Sequence, residues 1–371
     1  MSSYWGDFIK LSVFGESHGP GIGVVIDDLP AGQGLDMEAV RAFMDRRAPG
    51  RSPWSSPRQE SDRVEVLSGV YKNRTTGTPL AGFIRNRDTR SKDYENLQTI
   101  PRPGHADLTG RARYRGANDP RGGGHFSGRL TAAICFAGAV AKQILERQGV
   151  RVFAHIKEIA GIEDASLTLE SLSQTPEWVQ EHQDFPVIDA VQGQKMIDAV
   201  EAARMDQDSV GGIVEVVLLG VERGIGNPIF GGLEPKLASF IYGIPAVKAL
   251  SFGDGFAVTR RRGSENNDAL EYVEESSKIR SKTNHGGGID GGISNGMPIV
   301  FQVGIKPTSS ISLEQDSVNL ETKKNSKLII HGRHDPCIVP RAVPVLEAAA
   351  AIVLLDQLLL SGRFDYEQVG E

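Results

Sequence analysis

Gly122, Gly123 and Gly124 stand in succession, with Arg121 before them and His125, Phe126, Ser127 and Arg129 after, and the run opens into an apolar stretch of helical spacing. Three residues without a Cβ let the backbone turn sharply or approach a ligand closely, and a helix start offers spare N–H groups. Beside two arginines, a histidine and a hydroxyl, that pattern suits an anion, a phosphate above all. A flexible glycine turn beside solvated charges is the plainer alternative. Two further histidines are presented on glycine-flanked turns, His18 in GESHG and His105 in RPGHAD. An imidazole titrating near neutrality can give or take a proton at a reacting group, although a lone histidine on a turn is also an ordinary surface residue. Arg333, His334, Asp335 and Arg341 crowd just ahead of another apolar run. A second anionic subsite fits there, and a capped helix with solvated charges is its alternative.

Those loops need a frame. Strand character at residues 8–13 and 24–26 puts GESHG on a turn between strands. Residues 35–47 predict a helix capped by Asp36, with Met37, Val40, Phe43 and Met44 on one face and Arg46 and Arg47 in the last turn. Arg51 and Arg58 extend the positive charge through a Ser/Pro-rich segment, read as a basic loop able to close over a phosphorylated ligand. A hairpin is expected from residues 64–70 and 80–84, followed by a long ordered active-site loop over 85–116. Leu130, Ile134, Ala137, Ala141, Ile144 and Leu145 form the core stripe of the helix after the glycines. Further strands are expected at 152–159, 213–221, 247–252 and 297–305, and helices at 194–204 and 234–242. Residues 161–193 read as a peripheral insertion with little chemistry. A second glycine triplet, in NHGGGIDGGISNG, suggests a duplicated β/α unit, but its flanks do not align. Glu347, Asp356 and Gln357 interrupt residues 342–360 too often for a membrane span, so we expect a buried helix there.

The 371 residues allow two or three ordinary domains or one large one. Forty-three glycines, clustered without a period, argue for tight turns and backbone-lined sites instead of a fibrous repeat. A net charge of −6 argues against a general nucleic-acid binder. Cys135 and Cys337 have neither metal-site spacing nor the pattern of a disulfide framework, which fits a reducing compartment. The N-terminal stretch reads as neither a signal nor a transit peptide. No GxGxxG fingerprint lies between a strand and a helix, so a separate Rossmann domain is not expected.

GESHG at 15–19, RPGHAD at 102–107, RGGGHFSGR at 121–129, KPTSS at 306–310 and GRHDPC at 332–337 together resemble the chorismate synthase family, in its order and over nearly the whole chain. The resemblance implies an α+β fold, a β-α-β sandwich forming one large domain over residues 1–371 with long active-site loops. It also implies a cytoplasmic homotetramer that binds no metal, nucleic acid or membrane. The implied reaction is 1,4-anti elimination of phosphate from 5-enolpyruvylshikimate 3-phosphate to give chorismate. It needs reduced FMN without net redox change, with NADPH or an external flavin reductase as the source of electrons. In that family His18 protonates the leaving phosphate, His105 serves the reduced flavin and Asp335 lies near the flavin's N5 edge. Arg47, Arg121, Arg129 and Arg341 are the implied substrate-binding cations. His125, Phe126, Ser127, Gly291, Lys306, Pro307, Thr308, Ser309, Ser310 and Arg333 are the implied flavin contacts, with Pro245 and Ala246 near a further one. After Arg47 the chain reads APGRSPW where many members have RPGTSR, shifting the next basic residue to Arg51. His125 replaces an arginine of another branch. A non-catalytic phosphometabolite- or nucleotide-binding protein is the rival reading that composition alone leaves open.

Overall fold

GIGVVID, buried along most of its length, and IVFQVGI, which alternates buried and half-buried residues, are inner strands of two antiparallel sheets. The computed structural model describes residues 3–50, 62–87, 96–173, 184–274, 278–330 and 335–366. The first sheet contains β1 (Tyr4–Trp5), β2 (Lys10–Gly15), β3 (Gly21–Asp27), β4 (Val64–Ser68) and β5 (Leu80–Arg85), in the order β1-β2-β3-β5-β4. The second contains β6 (Arg151–Ile159), β7 (Ile162–Glu163), β8 (Gly212–Leu219), β9 (Val247–Phe252) and β10 (Ile299–Ile305), in the order β9-β10-β8-β6-β7. The helices are α1 (Met37–Arg47), α2 (Asp107–Arg113), α3 (Thr131–Arg147), α4 (Ala190–Met205), α5 (Leu233–Ile241) and α6 (Val339–Leu360). Helix α3 packs on β3 and β5, α6 packs on β6 and β8, and the two helices pack on each other. The result is the expected β-α-β sandwich.

Small residues let the inner helices approach closely. A Cβ on Gly138 of α3 would lie 2.1 Å from the Ala348 Cβ of α6, so alanine there would push the layers apart. Both helices are long and apolar enough to cross a membrane by composition, but most of each is buried inside the protein. Glu347, buried in α6, receives Arg46 of α1 at 2.7 Å and Lys142 of α3 at 2.6 Å. Burial alone would raise its pKa, but the two cations hold it down to about 2. This ion cluster ties α1 to the central layer and so fixes where Arg47, the next residue, emerges.

Several boundaries differ from the sequence reading. The glycines lie inside one 3₁₀ turn, Arg121–Phe126, and a second, Gly128–Leu130, comes between it and α3, so the helix does not open directly on them. The 85–116 stretch contains α2, which starts two residues after His105. Helix α4 begins at Ala190, capped by Asp189, inside the supposed insertion. Residues 164–172 lie against the second sheet, where Leu172 joins Phe153, Val217 and Leu219 in a small separate core. The second glycine triplet precedes a hairpin, Ile289–Asp290 with Ile293–Ser294. An unforeseen hairpin, Gln315–Asn319 with Lys324–Leu328, lies near residues 97–101.

Candidate functional site

The turn at Gly122–Gly124 is left-handed at all three residues, with φ of 60°, 85° and 53°. It lies between the two histidines. A Cβ on Gly122 would come 2.0 Å from His18 Nδ1 and 2.8 Å from Ser17 Oγ, and one on Gly123 would come 3.1 Å from His105 Cε1. The absence of side chains here lets both imidazoles close on the backbone, which is steric work that other residues could not do. The peptide N–H of Ser17 donates to the Gly124 carbonyl at 3.1 Å, locking GESHG onto the turn. His18 is buried.

His105 sits in a compact polar cluster. Its Nδ1 is 2.7 Å from Asp107 Oδ1. Arg102, also buried, donates to the same carboxylate through Nε at 2.7 Å, Nη2 at 2.8 Å and its backbone N–H at 3.0 Å. Its Nη1 donates to Ser310 Oγ at 3.0 Å, so the RPGHAD loop is hydrogen-bonded to KPTSS. Burial would raise the Asp107 pKa, but hydrogen bonds and charge from Arg102 and His105 bring it well below the usual carboxylate range.

KPTSS continues directly from β10. Lys306 Nζ donates to the Gly104 carbonyl, and burial followed by the nearby Lys248 lowers its pKa. The Lys306 N–H donates to the Ala246 carbonyl at 3.0 Å, bringing the Pro245–Ala246 turn alongside. An open groove of about 370 Å³ follows this edge, lined by Glu158, Gly212, Lys248, Gly304 and Lys306 among others. Pro307 borders Gly211, and Ser309 borders Gly104. Thr308 Oγ1 donates to the Asp335 carbonyl at 3.1 Å, and Asp335 Oδ2 is 2.5 Å from Arg341 Nη1.

Arg341 leads into a second cluster. Its Nε donates to the Arg47 carbonyl at 3.0 Å, and burial lowers its guanidinium pKa against the opposing charge of Asp335. Arg47 donates to Asp62 Oδ2 at 2.7 Å and to the Gly128 carbonyl at 2.8 Å, while Arg129 pairs with Asp62 Oδ1. Burial would raise the Asp62 pKa, yet the two guanidinium groups bring it below normal. Asn86 joins this cluster to the first. Its Oδ1 accepts from Arg129 Nε at 3.1 Å, and its Nδ2 donates to the carbonyls of Glu16 and Gly19, each at 2.9 Å.

The structure therefore brings together His18, His105, Lys306–Ser310, Asp335, Arg47, Arg129 and Arg341. Arg121 lies at the rim, largely exposed and paired with Asp119 at 2.7 Å. The His125 side chain turns elsewhere, with Nδ1 2.8 Å from the Gly15 carbonyl and Nε2 2.6 Å from Ser3 Oγ. Phe126 packs against Gly110 and Tyr114, and Ser127 Oγ accepts from the Arg129 N–H. Gly291 faces open space in a turn whose next residue, Gly292, meets Asn227 and Gly232, near the Ile299 end of β10, a seven-residue strand of roughly 20 Å with Lys306 just past its other end. Arg333, His334, Arg51 and Arg58 lie outside the described residues. Sequence reasoning passed over Arg102, Asp107, Asp62 and Asn86. The first two stand within RPGHAD, where their spacing around His105 was an available signal.

Two imidazoles meeting one glycine turn, with buried cations and a lysine–hydroxyl segment at hand, are the donor set of a site that handles protons beside an anion. The comparisons with known proteins give that class its particular form. The chorismate synthase family model matches residues 9–359. The chain is 43% identical over 365 residues to chorismate synthase of Methanothermobacter thermautotrophicus, covering 98% of this chain and 96% of that protein. It is 48% identical over 368 residues to that of Methanocella arvoryzae, covering 99% and 96%. A crystal structure of chorismate synthase aligns with a TM-score of 0.74 at 27% identity, over 98% of this chain and 96% of that one. The chain belongs to the chorismate synthase family. It is a carbon–oxygen lyase that eliminates phosphate from 5-enolpyruvylshikimate 3-phosphate to give chorismate, the last common step of aromatic amino acid biosynthesis, with a requirement for reduced flavin.

Proposed function

We propose that the elimination takes place beside the Gly122–Gly124 turn, with reduced FMN held by KPTSS and the loops around it. The observation that carries this reading is that one glycine turn meets both His18 and His105. The donor set fits a phosphate-bearing cofactor: Lys306 supplies a cation, and Thr308, Ser309 and Ser310 supply hydroxyls on the same segment. When bound, reduced FMN supplies electron density that eases phosphate departure with no net redox change. The Phe126, Ser127, Pro307, Arg333, Pro245–Ala246 and Gly291 assignments belong to the same flavin reading. Both His125 ring nitrogens already have protein partners, so its contact is through backbone or ring edge.

His18 gives its proton to the departing phosphate, while His105 stabilises or protonates the bound cofactor. Asp335, its Oδ2 held by Arg341, assists loss of the C6 proton. Arg47, Arg129, Arg341 and the exposed Arg121 neutralise the phosphate and carboxylates, because a multiply charged substrate needs several fixed cations. NADPH or an external flavin reductase supplies the electrons. The protein is a cytoplasmic homotetramer of single-domain chains. Anaerobic chorismate formation with and without reduced FMN tests the reading: turnover that depends on the flavin and falls in His18→Ala and His105→Ala supports it. Wild-type rates in both folded variants would remove the assigned roles.

A further inference from the structure

His105 is held by a carboxylate that the reaction as described does not use. Asp107 is ionised and cannot donate, so the hydrogen in the 2.7 Å contact resides on His105 Nδ1. Arg102 Nη2 lies 3.1 Å from that nitrogen, but both are donors, and the guanidinium hydrogen goes to Asp107 Oδ1. In a neutral ring this leaves Nε2 as the acceptor. A Cβ on Gly123 would lie 3.2 Å from it, so Nε2 is the nitrogen turned toward the glycine turn.

We propose that Asp107, braced by Arg102 and through it by Ser310, is a positioning residue that fixes the tautomer and aim of His105. The proposal rests on the reading above, in which His105 works at the cofactor. Three features carry it. Asp107 Oδ2 is occupied by Arg102 Nε and by the Arg102 backbone N–H, and Oδ1 is shared by Arg102 Nη2 and the imidazole, so the carboxylate cannot rotate away. Both Arg102 and Asp107 side chains are at least nine-tenths buried, whereas His105 retains 18% exposure, as a group that meets a ligand would. Finally, the Arg102–Ser310 hydrogen bond places the brace on KPTSS, so the histidine and the proposed phosphate-binding segment are set by one network.

Asp107→Asn separates positioning from mere structure. Its amide oxygen satisfies Arg102 best at the Oδ2 position, which turns the NH₂ toward His105 Nδ1 and forces hydrogen onto Nε2. The expected result is a fall in kcat of about 10²-fold or more, with KM changed less than about threefold. Nitrogen-15 NMR of histidine-labelled protein should show the His105 tautomer reversed. In a His105→Ala background the same substitution should lower turnover by less than about twofold. An equal fall in both backgrounds, or an unchanged tautomer with unchanged turnover, would overturn the proposal. Should Asp107→Asn not fold, Asp107→Glu keeps the charge but displaces the acceptor: retained tautomer with reduced kcat supports the role, and wild-type kcat overturns it. Wild-type turnover in His105→Ala would instead sink the assignment of His105 itself, a distinguishable failure.

Discussion

The histidine turn and the arginine cluster are neighbours built on opposite principles. Around His18 and His105 the chain removes atoms: three left-handed glycines create the space, and a single added methyl would collide. Around Arg47 and Arg129 it adds charge: the buried carboxylate of Asp62 bridges two guanidinium groups that would otherwise repel each other in a dry interior, and the trio keeps a net positive charge. Proton transfer needs imidazoles held in place, which the glycine backbone does at His18 and, with the Asp107–Arg102 pair added, at His105. Anion binding needs cations that remain organised before the anion arrives, and an internal counter-ion does that. The difference predicts that damage to the turn appears in turnover, whereas damage to the cluster appears first in stability.

The sharpest break comes from His18→Ala, which should lower kcat about 10²–10⁴-fold while leaving the unfolding temperature within a degree or two, measured by anaerobic assay and calorimetry. On the other side, Asp62→Asn leaves two buried cations without their counter-ion and should cost about 3–5 kcal/mol of stability in urea unfolding, with a raised KM. Gly122→Ala comes next. Its Cβ displaces His18 by an ångström or more, so kcat should drop by roughly 10²-fold in a protein that still folds.

Acid should sharpen the same contrast. Asp62 has a folded pKa below its unfolded value, near 3.9 for a free side chain. The stability it contributes is therefore complete above pH 4 and is lost as pH falls through the folded value. Acid unfolding of Asp62→Asn should show a shallower pH dependence in that window than wild type does; identical profiles would remove Asp62 from the account. The smallest effect belongs to Arg121→Ala. An exposed pair with Asp119 contributes little, so stability should change by less than about 0.5 kcal/mol. KM should rise a few-fold, and more at low salt than at high.

The turn was legible because glycine triplets and glycine-flanked histidines are conspicuous, and the two sheets because β3 is a short apolar run and β10 alternates buried and half-buried residues. The arginine cluster was legible only in part. Arg47, Arg129 and Arg341 could be singled out by type, but Asp62 lies 15 positions from Arg47 and 67 from Arg129, with nothing local to link the three. Helix α2, DLTGRAR, is too short and polar to show helical periodicity. Pro340 made the start of α6 read as loop, although a proline in the first turn of a helix loses no bond. The hairpin at 315–328 alternates mostly polar residues, and its register came only from pairing in three dimensions.

A crystal structure with FMN and 5-enolpyruvylshikimate 3-phosphate tests the central claim most directly. The account predicts both ligands beside Gly122–Gly124, with ring nitrogens of His18 and His105 within about 3.2 Å of substrate or flavin atoms. Ligands seated elsewhere, or both histidines left more than about 6 Å from them without a bridging water, would contradict it.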